Sequence, residues 1–501
     1  MTKAGLVGTK SNTRLEGFGT LEMLIAFVVV ILSITAVIGV VFGSQSIGVD
    51  TQTNQEAQGL AQDILEDARA KSKSDFGAII NATTTATIDG LTYDQETKVT
   101  DISPCAKQVD SLVTWHNETR LQNVELVTAL TSPREAAALG GDCASTPPSS
   151  NWENPQCLAS DTFSPGKPTA LDALRQKVYV GVDGSPFLAI ADVESIPPDP
   201  CAGGGGNLFV EFTNGFDAGV KLNDVDVAKD EASGKTYAYI AVDQNTEQFQ
   251  VIDVTNVAQP TTVAKLTLNN VDPGGSFPQG FRSYYYKERV YITARETLGR
   301  EFHIIDVSDP EHPVEIGSSF ELNTSVYDMA IVDQNIGGVA YRFAFLATTR
   351  DSAELTVLDV TNPTGITQID SASGDLPGDT DARALTISGN KLYIGQDKTS
   401  SGSELFVYDI SNPVSGSGLP PLGNKELNAG IGSLHASANF LFIATDLSNQ
   451  EFQVRRSDPA DLSIVSTHGF SNKAIVGLDY EPEFIYIGSL ASPNFQILYS
   501  P

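Results

Sequence analysis

The chain has 501 residues and 41% apolar side chains, enough for two or three units with folded cores. Acids outnumber bases 62 to 31, and the formal net charge of −31 sets the surface against nucleic acid and anionic lipid head groups. The apolar residues are too many and too regularly spaced for a disordered acidic chain.

The first element is "EGFGTLEMLIAFVVVILSITAVIGVVF", residues 16–42, in which no charge occurs between Met23 and Phe42. About twenty helical residues cover roughly 30 Å, the thickness of a bilayer core. Lys3, Lys10 and Arg14 precede the run and the next basic residue is Arg69, so the positive-inside rule predicts a single pass with the N-terminus cytoplasmic. The run is long for a secretory signal core and no clean small-x-small cleavage pattern follows it. Glu22 at its entrance is costly in lipid unless paired, and a plain anchor gains nothing from it.

Gly17, Phe18 and Glu22 carry a resemblance to the type IV prepilin signal. The resemblance implies cleavage of residues 1–17 by a prepilin peptidase and methylation of the new N-terminus at Phe18. It also implies a long helix over 18–76 with its transmembrane half at 23–42. Glu22 is then fifth in the mature chain, placed to pair with the α-amino group of Phe18 on a neighbouring subunit and set the axial register. The family order Phe-Thr-Leu-x-Glu is shifted by one here, Phe18-Gly19-Thr20-Leu21-Glu22. The implied partners are other pilin subunits, the peptidase, and the inner membrane before assembly.

Beyond the apolar run, Ala57, Leu60, Ala61, Ile64, Leu65 and Ala68 fall on one helical face. Residues 77–132 read as a small β-region, with "KQVDSLVTWHN" and "RLQNVELVTALT" as strands joined by a polar turn, similar to the region after the long helix of many pilins. Trp115 and His116 read as a buried aromatic with a rim histidine. Residues 133–154, rich in Pro, Ser, Gly and Asn, read as a linker. Cys105, Cys143, Cys157 and Cys201 allow two disulfides in three connectivities, with no pattern to choose among them.

From 155 to 501 the chain repeats. "VYVGVDGSPFLAIADV" (178–193), "AYIAVDQNTEQFQVIDVTN" (238–256), "VYITARETLGREFHIIDVSDP" (290–310), "AFLATTRDSAELTVLDVTNP" (344–363), "LYIGQDKTSSGSELFVYDISNP" (392–413), "LFIATDLSNQEFQVRRSDP" (441–459) and "IYIGSLASPNFQILYSP" (485–501) superimpose. Their spacing is roughly fifty residues, in the range of propeller blades. Two strands, a turn, a weaker outer strand and an innermost strand leading onward predict a seven-bladed β-propeller. "VIDVTN", "IIDVSDP", "VLDVTNP" and "VYDISNP" resemble the LVIVD repeat family. The last unit stops after its third strand, so "QCLASDTF" (156–163) is expected to complete it.

The aspartates Asp192, Asp253, Asp306, Asp359 and Asp409 recur once per unit, which suits turn caps better than one active site. The innermost strands begin near Asp172, Asp224, Arg282, Asp328, Arg383 and Asp479, the candidate ligand site at the mouth of the central channel. Asp243, Arg295, Asp351, Asp397 and Asp446 are expected in loops on the same face. His116, His303, His312, His435 and His468 lack metal-ligand spacing, and no nucleotide, esterase, zinc-protease or CxxC motif is present. The sequence therefore predicts no metal, no cofactor and no catalysis. It predicts a pilin-like subunit, passing from membrane to pilus or cell surface, that displays a propeller for adhesion or recognition of an unidentified surface ligand. A pseudopilin of a secretion system and a membrane-tethered propeller enzyme are the alternatives.

Overall fold

The computed structural model describes most of residues 52–132 and 152–500; residues 1–51, 133–151, 194–208, 212–219, 272–278 and some shorter stretches of one to three residues lie outside that description. The chain divides into two compact units. One holds the helix up to Asp67, Ile80–Lys98 and Asp110–Val127; the other holds Ala68–Ile79, Val99–Val109 and Thr128–Pro501.

In the first unit, the helix over 52–72 places Ala57 and Ala61, both fully buried, against Tyr93, Val113 and Trp115. Small alanines on this stripe let the helix approach the aromatic pair, whose ring centroids are 5.7 Å apart. Tyr93 spends its polar tip on the helix, its hydroxyl donating to Glu56 Oε2 at 2.8 Å. The strands are β1 (Ala82–Ile88), β2 (Leu91–Ser103), β3 (Ala106–Asn117) and β4 (Arg120–Thr131), in that order across one sheet.

The described structure corrects the predicted fold class and location. Apart from the helix over 52–72 and short 3-10 turns the described residues are strands and connections. No helix among them is long and apolar enough to cross a membrane, and of the long helix predicted over 18–76 the described residues show only 52–72. The helix over 52–72 has a physical reason to stay in water. Outside its alanine stripe it carries Glu56, Asp63, Glu66, Asp67, Arg69 and Lys71. The single-pass membrane placement and the extracellular location built on it therefore have no structural support. Gly17, Phe18, Glu22 and the run 23–42 lie outside the described residues.

In the second unit, seven four-stranded antiparallel sheets are present among the described residues. We call them blades 1 to 7, with innermost strands Pro168–Leu174, Leu222–Lys229, Gly280–Tyr285, Val326–Ile336, Ala382–Ser388, Ile431–Ala436 and Ile475–Glu481. Each innermost strand packs against that of the next blade, and the seventh returns to the first. Gln156–Asp161 pairs with Phe495–Tyr499 and supplies the fourth strand of blade 7, so the first and last strands of the propeller meet in one sheet.

Three repeated devices build each blade. A β-bulge follows the first residue of every innermost strand, as between Gly280 and Arg282 or Ala382 and Ala384; bulges bend the strand and re-aim its side chains. The second strand carries one buried aromatic at a fixed register: Tyr179, Tyr239, Tyr291, Phe345, Tyr393, Phe442 and Tyr486. A buried Gln, Glu or Asn precedes the third strand in six blades: Gln248, Glu301, Glu354, Glu404, Glu451 and Asn494. The four glutamates among them accept N–H bonds from the segment after the outer strand, as Glu404 does from Leu427 (2.8 Å) and Asn428 (3.2 Å). Buried N–H groups in an irregular segment need such partners.

The aspartates that close the third strand sit at turns. Asp253, Asp306, Asp359 and Asp409 each accept the backbone N–H two residues on, at 2.8–3.0 Å; Asp192 pairs with Lys177 at 2.9 Å. Cys105 and Cys157 are disulfide-bonded; Cys143 and Cys201 lie outside the described residues.

Candidate functional site

The innermost strands enclose a cavity of about 770 Å³. Asp172, Asp224, Arg282, Asp328, Arg383 and Asp479 all line it, but at three levels. Counting from the bulge, Arg383 occupies the bulge itself, Asp224, Arg282 and Asp328 the next residue, and Asp172 and Asp479 a position two further in.

The carboxylates have a structural task. An innermost strand has only one strand neighbour, so its other edge presents N–H groups to the channel without a ladder partner. The preceding blade supplies an aspartate: Asp172 accepts from Val227 N, Asp224 from Ser283 N at 3.0 Å, Asp328 from Leu385 N at 2.9 Å, and Asp479 from Ala173 N at 2.8 Å. Asp226 does the same for Tyr285 N, and Glu481 for Gln176 N. These contacts staple one blade to the next around much of the ring.

Burial raises the pKa of this set. Asp328 is pushed up to about 7, chiefly by burial and against the pull of the Leu385 N–H and Arg282. Asp224, Asp226 and Asp479 move in the same direction for the same leading cause. His435, whose Nδ1 stands 3.5 Å from Asp479, is pushed down to about 4 by burial and is neutral at pH 7. Asp226, Glu481 and His435 were not singled out from the sequence as channel residues. Asp226 had a readable signal, being two residues after Asp224 in "LNDVDV" and so on the same strand face.

The mouth, where innermost strands begin and second strands end, differs in chemistry. Arg383 Nε donates to Asp397 Oδ2 at 2.8 Å and Nη2 to Asp381 Oδ2 at 3.1 Å, while its guanidinium lies 3.9 Å from the Tyr327 ring centroid. Tyr327 meets Phe281 edge-on at 5.7 Å. Both Arg282 and Arg295 stack over Phe281, at 5.0 and 4.8 Å. Arg282 also donates to the carbonyl of Tyr327 and stands 3.8 Å from Asp224. Asp446 accepts from Gly430 N at 2.8 Å and Asp243 N donates to the Lys221 carbonyl at 2.9 Å; Asp351 is exposed. The remaining histidines are dispersed: His303 is buried on Glu315 at 2.8 Å and His312 sits on Asp309 at the surface. Among the described residues no group of three or more His, Cys, Asp or Glu could hold a metal ion.

The closed ring of four-stranded sheets defines a β-propeller, and the model of the LVIVD repeat matches residues 231–267, 298–320 and 379–417. This is a β-propeller protein carrying LVIVD repeats. Solved structures that it is similar to include the β-propeller domain of Myceliophteria thermophila Cps50 (Swd1), 10% identical, covering 70% of this chain and 100% of that one with a TM-score of 0.46. The WD40 β-propeller domain of Doa1 is 13% identical, covering 69% and 97% with a TM-score of 0.45. The computationally designed Ika8 protein is 13% identical, covering 69% and 100% with a TM-score of 0.43. The assignment rests on strand order and ring closure rather than on these likenesses. No curated protein matches the chain significantly.

Proposed function

We propose that the propeller is a recognition module that takes a polar ligand at the mouth of its channel, and that it binds rather than transforms it. The observation that carries this reading is the division of labour along the channel. The channel aspartates, at whatever level, are committed to neighbouring backbone N–H groups, whereas Arg282, Arg295 and Arg383, where the innermost strands begin, stack on aromatic rings. A rim of a few convergent polar groups over a preformed cavity is the common form of a ligand site. The test is a saccharide and peptide array probed with the full chain. Capture weakened at least tenfold by Tyr327→Ala supports the reading. Turnover of chromogenic esters or glycosides would replace it with an enzymatic one. With a net charge of −31, the protein is expected to show no retention on DNA at low salt.

The finer reading adds assembly. Gly17, Phe18 and Glu22 are in the places that a prepilin peptidase and neighbouring pilin subunits would use, and this support comes from the sequence pattern alone. A mature chain starting at N-methylated Phe18 in a filament fraction, with filament growth lost in Glu22→Ala, is the expected result. An unprocessed N-terminus removes assembly and leaves recognition to the propeller alone.

A further inference from the structure

Arg295 is the unexplained group of the mouth. It follows the second strand of blade 3 (Arg289–Ala294), and its guanidinium stacks on the same Phe281 ring as Arg282. Two like charges on one ring repel. Arg282 is offset by Asp224 and by two backbone carbonyls. Arg295 has no carboxylate partner among the described residues, and its buried Nε has no hydrogen-bond partner. A buried, unmatched guanidinium donor in a native fold calls for a missing partner. In a chain with twice as many acids as bases, a second guanidinium beside Arg282 with no carboxylate partner among the described residues is most simply understood if the counter-charge arrives with a ligand.

We propose that Arg295, with Arg282 and Phe281, forms a carboxylate subsite of the channel mouth, and that the ligand is an acidic sugar of the uronic acid class. This deepens the recognition role proposed above and rests on it. The guanidinium fork matches a planar carboxylate. The adjoining cavity wall offers polar and aromatic surface for a sugar ring beyond its acid: the hydroxyl of Ser433 and the Tyr327 ring. Both guanidiniums lie about 5 Å from the Phe281 ring centroid, so the two cations are held beside one ring before the ligand arrives.

The experiment is calorimetric titration of the full chain with trigalacturonate and with its methyl ester, repeated with Arg295→Gln and Arg295→Lys. The expected result is binding of the acid, at least tenfold weaker binding of the ester, and at least tenfold weaker binding of the acid by Arg295→Gln, with Arg295→Lys in between. The melting temperature should change little, since among the described residues the guanidinium of Arg295 is held only by the Phe281 ring. Equal binding of acid and ester, or unchanged binding by Arg295→Gln, overturns the subsite. No binding of trigalacturonate also overturns it; if the array then shows a neutral ligand whose capture needs Tyr327, recognition at the mouth stands without the acidic class.

Discussion

Asp328 shows what a stapling carboxylate costs. Its acceptor role toward Leu385 N and Met329 N holds blade 4 to blade 5, but burial lifts its pKa to about 7 from roughly 3.9 in the unfolded chain. The native state therefore holds a proton that the unfolded state has lost, so stability from this group is full below about pH 4 and is lost as pH rises through about 7. Asp224, Asp226 and Asp479 shift in the same direction and add to the slope. Asparagine keeps one acceptor oxygen, enough for the Leu385 N–H that joins the blades, and removes the charge. Asp328→Asn is expected to match the wild type at pH 5 and to melt a few degrees higher at pH 8; parallel melting profiles from pH 5 to 8 would show that the carboxylate ionises freely in the fold. His435 works in the opposite sense. Its pKa, pushed down to about 4, means that its contribution is present above about 6.5 and is lost as pH falls through about 4. Its imidazole resonances should titrate near pH 4 in the native protein, and a midpoint above 6 would place the ring in solvent.

At the scale of the blade, two repeated acids look alike in sequence and differ in weight. Asp359 caps an exposed turn through one bond to Thr361 N, so Asp359→Ala is expected to cost about 1 kcal/mol. Glu404 is fully buried and accepts from Thr399, Leu427 and Asn428; Glu404→Ala leaves buried donors unmatched and is expected to cost about 3 kcal/mol or more. Urea unfolding of both variants decides this, and equal midpoints would contradict it. The same pair explains how much was legible. The "DVTN" aspartates announce themselves because turn chemistry is local and the motif is contiguous. Glu404 partners a segment more than twenty residues away across an outer strand of variable length, so only the "EF" and "EL" pairs opening third strands hinted at it. The propeller itself was legible from its recurring aromatics and valine-rich strands. Asp226 could have been read from Asp224 two residues before it; His435 could not, because lining a channel depends on a bulge whose position no single strand reveals. The long membrane-spanning helix was read from an apolar run at 23–42, which lies outside the described residues; among those, no helix is long and apolar enough to cross a membrane.

At the scale of the whole propeller, stability depends on a closure between distant parts of the chain. The innermost strands form a continuous ring, but blade 7 is complete only when Gln156–Asp161 lies beside Phe495–Tyr499. Without that strand, Phe495–Tyr499 becomes an open apolar edge, a template for pairing with another copy. Ala159 is the seam's buried point, packed with Phe495, Ile497 and Val178, whereas Ser160 is only half-buried beside it. Ala159→Asp puts an unpaired carboxylate into this core and is expected to destabilise the propeller by about 3 kcal/mol, with light scattering that grows with protein concentration on warming. Ser160→Asp, on the alternate face of the same strand, is expected to change neither by much. Cys157, two residues from Ala159, is disulfide-bonded, so a reductant should lower the wild-type melting temperature. If Ala159→Asp melted like the wild type and stayed monomeric, the seam would be dispensable and six complete blades plus three strands would have to hold the ring. The innermost aspartate staple from Asp479 to Ala173 N would then be the closure that matters, and Asp479→Ala the variant that opens it.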